Sequence, residues 1–203
     1  MMFECCIASI VLAVLVFRTR NVWADETPNE WENPAVVQRN KERGHATLLP
    51  YSDRDAALLG TPDATPYRLS LDGVWKFQWA ETVAQAPAGF FEESYDISGW
   101  TTIPVPSNWQ LEGYEPPLYC NLRNLSAPAQ PPNCNPAWNP TGSYRRTFTV
   151  PETWQGRQVF LHFGGIQSAA YVWVNGREVG YSQASMTPAE FDITGYLRPG
   201  ENT

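Results

Sequence analysis

The chain has 203 residues, with 21 acidic side chains against 14 Lys and Arg, a formal charge of −7 and 43 % hydrophobic residues. That suffices for one domain with a sizeable core but not for two large ones, and the 13 % aromatic content excludes a disordered chain. The acidic balance and the lack of any basic stripe exclude a nucleic-acid partner, whose binding rests on neutralising phosphates.

Residues 7–17, "IASIVLAVLVF", form an apolar run too short to span a bilayer and of the length of a signal-peptide core. The small residues of "VWA" place the expected cleavage after Ala24, so residues 1–24 read as a signal peptide and the chain as exported, periplasmic or extracellular. Membrane anchoring is the alternative, because Glu4 and no Lys or Arg precede the run, while Arg18 and Arg20 follow it. Without residues 1–24 the chain keeps 12 basic and 20 acidic side chains, a charge of −8.

Residues 25–66 are polar and punctuated by proline, and predict an extended leader with one helical turn near Asp53 to Leu59. From Tyr67 to Thr203 the pattern is that of strands. "YRLSLDGVWKFQWA" sets Leu69, Leu71, Trp75, Phe77 and Trp79 on one parity and Lys76 and Gln78 on the other, a strand with one buried face. After a loop over 81–99, "WTTIPVPSNW" is extended, since each proline biases the preceding residue away from helix. "GSYRRTFTV" alternates Tyr144, Phe148 and Val150 against Arg145, Thr147 and Thr149. "RQVFLHF" is apolar on both parities except for His162, which predicts a central strand with His162 a satisfied sheet residue. In "YVWVNGREVGY", Asn175-Gly176 between two strand-like runs predicts a two-residue hairpin with positive φ at both turn positions. "AEFDITGYLRPGENT" adds a short strand and a Pro-Gly turn. Short strands with turn chemistry between them and no long helix predict an all-β fold, an antiparallel jelly roll or β-sandwich. A further strand is expected where "RPGEN" runs out, so the fold reads as incomplete at its C-terminus.

The stretch "SNWQLEGYEPPLYCN", residues 107–121, has neither helical nor strand period. Glu112 and Glu115 read as solvated loop carboxylates rather than a hydrolytic pair. Trp109, Tyr114 and Tyr119 read as rings that glue the loop to its sheet, with stacking on a sugar as the alternative. Asn121 on its own reads as a turn residue bonded to local backbone. Cys120 and Cys134 either close a loop, worth roughly 3 kcal/mol in the chain-entropy model, or stay as two free thiols. His45 and His162 are distant in the chain and no CxxC spacing occurs, which argues against zinc.

"WENPAVVQRNKE", "LDGVWKFQW", "VPSNWQLEGYEPPLYCN", "NPTGSYRRTFTVP", "YVWVNGREVGYSQ" and "AEFDITGYLRPGEN" together resemble, in order and spacing, the N-terminal sugar-binding domain of glycoside hydrolase family 2 β-galactosidases, over residues 31–203. The resemblance implies retaining hydrolysis of terminal β-galactosides by two glutamates in a (β/α)₈ barrel, which alone takes about 250 residues and so lies outside this chain. The implied partners are a β-galactoside, the missing barrel domain and, in the full-length enzyme, further subunits of a homo-oligomer. The Asn of "LYCN", Asn121, is implied as the one substrate contact within the chain, its amide offering donors and an acceptor to vicinal hydroxyls. A second contact, an Asp, falls beyond Thr203, and the Mg²⁺ and Na⁺ of such enzymes have no complete ligand set here, so no cofactor is expected in this chain. "NLS" stands where a Tyr-Pro step is usual, and the stretch up to "NPTG" is about two residues longer than in that family. A free-standing carbohydrate-binding module and a structural docking domain are the alternative functions.

Overall fold

The computed structural model of the chain describes residues 29–117, 132–183 and 185–203. In chain order these form β1 (Gln38–Arg39), the helix α1 (Arg54–Leu59), β2 (Gly73–Ala80), β3 (Thr101–Val105), β4 (Thr141–Arg145), β5 (Phe148–Thr149), β6 (Phe160–Phe163), β7 (Ala169–Val174), β8 (Arg177–Gln183), β9 (Ala189–Asp192) and β10 (Glu201–Asn202). The strands pair in the orders β1-β8-β7, β3-β2-β4, β6-β9 and β10-β5, every pair antiparallel. The fold is all-β, an antiparallel sandwich of the jelly-roll kind. Among the described residues no helix is long and apolar enough to cross a membrane, and the apolar run at 7–17 lies outside them.

β2 carries the alternation its sequence predicts: Phe77 is fully buried between the partly buried Trp75 and Trp79. The strand is shorter than expected, because Leu69 and Leu71 precede it and Leu69 is exposed. "GSYRRTFTV" is two strands rather than one. β4 pairs with β2, the chain turns at Arg146 and Thr147, and β5 pairs with β10 in another sheet. β6 pairs only with β9 among the described residues, with Phe160 and His162 exposed, so "RQVFLHF" is not a central strand. Its apolar content serves Leu161 and Phe163, which pack on the core on one parity.

The hairpin at Asn175-Gly176 is as predicted, with φ of 52° and 76° joining β7 to β8. Asn175 does more than turn the chain. Its Nδ2 donates to the Tyr196 carbonyl (2.9 Å) and to Asn202 Oδ1 (2.8 Å), and its Oδ1 accepts from the Thr203 N–H (2.9 Å). Asn202 is fully buried, donating from Nδ2 to the carbonyls of Arg198 (3.1 Å) and Gly200 (3.0 Å) while its Oδ1 also accepts from the Arg198 N–H. These asparagines close one end of a core built from Val159, Val172, Val174, Val179, Phe191 and Ile193, against which Phe148, Trp154 and Leu197 pack.

The segment ahead of β2 is strapped to the sheet by more than its extended shape. β1 pairs with β8, Arg39 forms an ion pair with Glu30 (2.9 Å) and another with Glu178, and Trp31 meets Tyr171 edge to face. Farther on, the Glu42 N–H donates to the Glu190 carbonyl (2.8 Å), and His45 Nε2 lies 2.5 Å from Glu190 Oε2. α1 occurs where the sequence places a helical turn: Asp53 accepts from the Ala56 N–H at its N-terminus, and Gly60 ends it at φ 63°.

Replacing Asn202 by Asp removes the donor facing two carbonyls, and N202D is expected to lower stability by about 2–4 kcal/mol in urea unfolding. His45 titrates above its usual value of 6.5, first through its hydrogen bond to the Ala46 carbonyl and then through Glu190. The folded state thus holds that proton more tightly than the unfolded chain. The stabilisation is complete below the unfolded value near 6.5 and is lost as pH rises through the higher folded one. The urea midpoint is expected to fall as pH rises from 6.5 through the higher folded value, and to fall less in H45Q.

Candidate functional site

Residues 107–117 lie over the face of the β3-β2-β4 sheet that carries Phe77. The Trp109 ring stacks on Phe77 with centroids 6.4 Å apart, and the Tyr114 ring meets it edge-on at 4.7 Å. Tyr144 packs on the same ring at 4.7 Å, and its burial pushes the phenol up to about 12. The Tyr114 hydroxyl lies 2.6 Å from Thr101 Oγ1. Trp109 and Tyr114 are therefore the glue the sequence predicts rather than exposed stacking platforms; Tyr119 lies outside the described residues.

The loop closes on itself through local bonds. The N–H groups of Glu112 and Tyr114 both donate to the Trp109 carbonyl, at 3.1 and 3.2 Å, with Gly113 at φ 86° between them. Glu115 Oε2 accepts from Trp109 Nε1 (3.0 Å) and Gln110 Nε2 (3.1 Å), whereas Glu115 Oε1 is buried and has no hydrogen-bond partner among the described residues. Glu112 is exposed as expected, but Glu115 is half-buried and committed to the indole instead of being solvated. With one oxygen bonded inside the loop and the other shut away from solvent, Glu115 cannot pair with Glu112 across a glycosidic bond.

Asn121 and Cys120 lie outside the described residues, as does the rest of 118–131. Both flanks of that stretch are anchored. On the near side stands the Phe77 cluster; on the far side the Cys134 N–H donates to Glu32 Oε1 (3.0 Å), and the Asn139 N–H donates to the Glu81 carbonyl at the end of β2 (3.2 Å). Between them the Ala137 N–H donates to Asn135 Oδ1 (3.0 Å). The leader thus reaches the base of the segment that carries Asn121. Cys134 is half-buried and forms no disulfide with any described residue, and burial together with the Glu32 charge pushes its thiol up, away from a reactive thiolate.

The two histidines, distant in the chain, meet at one carboxylate: His162 Nδ1 lies 3.9 Å from Glu190 Oε1, opposite His45. His162 is a sheet residue, as predicted, but an exposed one, facing Glu190 across the β6-β9 pair, and Glu190 carried no sequence signal because its meeting with His45 depends on leader docking. Among the described residues no group of three or more His, Cys, Asp or Glu is placed to hold a metal ion. Trp79 Nε1, also missed by alternation alone, is a second buried polar atom without a partner among the described residues. The described hollows, of about 520 and 360 Å³, are lined by residues outside the 107–117 loop.

Removing the Glu115 carboxylate strands the Trp109 indole N–H. E115A is expected to cost about 1–3 kcal/mol, and E115Q, which keeps an acceptor oxygen, clearly less, as read by tryptophan fluorescence in urea.

Residues 69–203 match the family model for the sugar-binding domain of family 2 glycosyl hydrolases. A β-galactosidase of Priestia megaterium is 43 % identical over 178 residues, covering 86 % of this chain and 17 % of that protein. A β-galactosidase of Psychromonas ingrahamii is 40 % identical over 173 residues, covering 85 % of this chain and 16 % of the relative. The chain therefore spans about a sixth of the length of these relatives. Among solved structures, a Bifidobacterium dentium β-glucuronidase is 27 % identical over 65 % of this chain and 18 % of its own, with a TM-score of 0.47. On the family match and the identities to the two β-galactosidases, the chain belongs to glycoside hydrolase family 2, through the sugar-binding domain of that family.

Proposed function

We propose that this chain serves as the sugar-binding, non-catalytic part of a retaining β-galactosidase, exported by residues 1–24 and operating with a barrel that supplies the two catalytic carboxylates. The observation that carries the reading is the identity of 40–43 % to β-galactosidases over 85–86 % of the chain. A role for Asn121 as the substrate contact rests on the resemblance of "LYCN" to the family's motif. An amide is well suited to such a contact, since it meets neighbouring hydroxyls as donor and acceptor without the desolvation cost of a charge.

The site's electrostatics support the absence of catalysis in this chain. Retaining hydrolysis needs two carboxyl groups about 5 to 5.5 Å apart on opposite sides of the scissile bond, one of them able to hold a proton. Glu115 is spent on the indole of Trp109, and Glu112 faces solvent.

The purified 203-residue chain is expected to release no nitrophenol from a nitrophenyl β-galactoside; turnover by the chain alone overturns the reading. Calorimetric titration with galactose or lactose is expected to show no saturable binding below millimolar concentration. Tight, saturable binding favours a self-sufficient carbohydrate-binding module instead. N-terminal sequencing of protein recovered outside the cytoplasm is expected to begin at Asp25.

A further inference from the structure

Glu190 on β9 holds the N-terminal strap twice. Its carbonyl accepts from the Glu42 N–H (2.8 Å), and its carboxylate Oε2 lies 2.5 Å from His45 Nε2. Upstream the strap is fastened in another way. β1 pairs with β8, and Arg39 forms ion pairs with Glu30 and Glu178. An arginine keeps its charge across the neutral range, so that fastening does not depend on a proton there. Between the two fastenings Asn40 turns the chain at φ 53°, and its Nδ2 donates to the Val179 carbonyl (3.0 Å).

The fastening at His45 does depend on a proton. Nδ1 faces the Ala46 carbonyl at 2.7 Å and Nε2 faces the Glu190 carboxylate, so both ring nitrogens point at acceptors. A neutral imidazole carries one N–H, and either tautomer would turn a lone pair toward an oxygen. Only the imidazolium, with two donors, satisfies both contacts. The neighbouring charges favour it. In the leader Glu42 adds negative charge, with Arg43 beside it; on β9 Glu190 supplies the paired carboxylate, and Asp192 follows on the same face. On β6 the second imidazole, His162, has its Nδ1 3.9 Å from Glu190 Oε1.

We propose that His45 is a proton-operated latch: protonated, it clasps residues 42–45 to β9, and on losing its proton it lets that segment lift while β1 stays paired with β8 and the domain stays folded. His45 titrates above 6.5, first through the Ala46 carbonyl and then through Glu190, so the latch is shut below 6.5 and opens as pH rises through the higher folded value. The next fastenings along the leader carry no ionisable partner: Thr65 Oγ1 donates to the Pro50 carbonyl (2.6 Å), and Trp154 Nε1 to the Pro66 carbonyl (2.8 Å). Linkage alone requires only that overall stability fall with pH. The latch adds that residues 42–45 open first, short of unfolding.

Amide exchange of the full chain, followed by NMR from below pH 6.5 upward and corrected for the intrinsic rate, reads the latch at the Glu42 N–H. Its protection is expected to fall about threefold to fivefold, the scale of an exposed ion pair. The amides of the β7-β8 ladder are expected to exchange about tenfold more slowly or less throughout, showing that the sheet stays closed. The step is expected to vanish in H45Q, whose neutral amide offers Glu190 a donor at every pH, and to persist in H162Q. The ¹⁵N shifts of the His45 ring test the premise on the unaltered chain, with both nitrogens expected to carry protons at pH 6.5. A His45 ring that is mainly neutral there overturns the proposal. So does a Glu42 amide that is indifferent to pH or exchanges only together with the β7-β8 ladder, and so does an unchanged step in H45Q.

Discussion

Phe77 is the fixed point about which the candidate site is arranged. Its ring, fully buried, is enclosed by Trp109, Tyr114 and Tyr144, and the enclosure is tight enough to dictate a neighbouring residue. A Cβ at Gly142 would stand 2.8 Å from Phe77, 2.9 Å from Tyr144 and 3.0 Å from Trp109, so only glycine fits there. Aromatic pairs of this kind add about 0.5–1.5 kcal/mol each beyond the area they bury. Residues 107–117 have no strand ladder to hold them, so these rings and the Glu115 bonds are what give the loop a shape.

A second packing centre around Phe191 holds β6 to β9 and the asparagine-tied hairpin. The two centres are joined chiefly through the loop after β2. Phe91 stacks on Trp173 of β7 at 5.1 Å, Phe90 meets the same ring edge-on at 5.4 Å, and Glu93 pairs with Arg198. Arg145 in turn fastens that loop's carbonyls to β4. A loop without a strand thus couples the half of the domain that bears the candidate sugar contact to the half that bears the hydrophobic core, with buried aromatic area standing in for backbone pairing.

The features legible in the sequence are those governed by neighbours in the chain. Asn175-Gly176 announced its turn because positive φ at two successive positions leaves few residue choices, and the alternation over Trp75 to Trp79 announced β2 because a buried face repeats every second residue. The sheet change at Arg146 was not legible, since the parity of side chains survives while the pairing partner changes. The exposure of Phe160 was hidden likewise, because an apolar run does not report how many strands flank it. Glu190 between two histidines, and Glu115 beneath an indole, depend on groups brought together by folding, which no local period encodes.

Gly180 has a bearing on evolution and engineering alike. A Cβ there would strike the Arg39 carbonyl oxygen and come within 2.9 Å of the Phe191 ring, so the N-terminal strap crosses β8 at a point where the sheet offers bare backbone. One added methyl group would lift the strap off and loosen several fastenings together: the β1 pairing, the Arg39 ion pairs, and the Glu32 contact at the foot of the segment that carries Asn121. A single position on β8 would then govern how the whole N-terminal strap is seated.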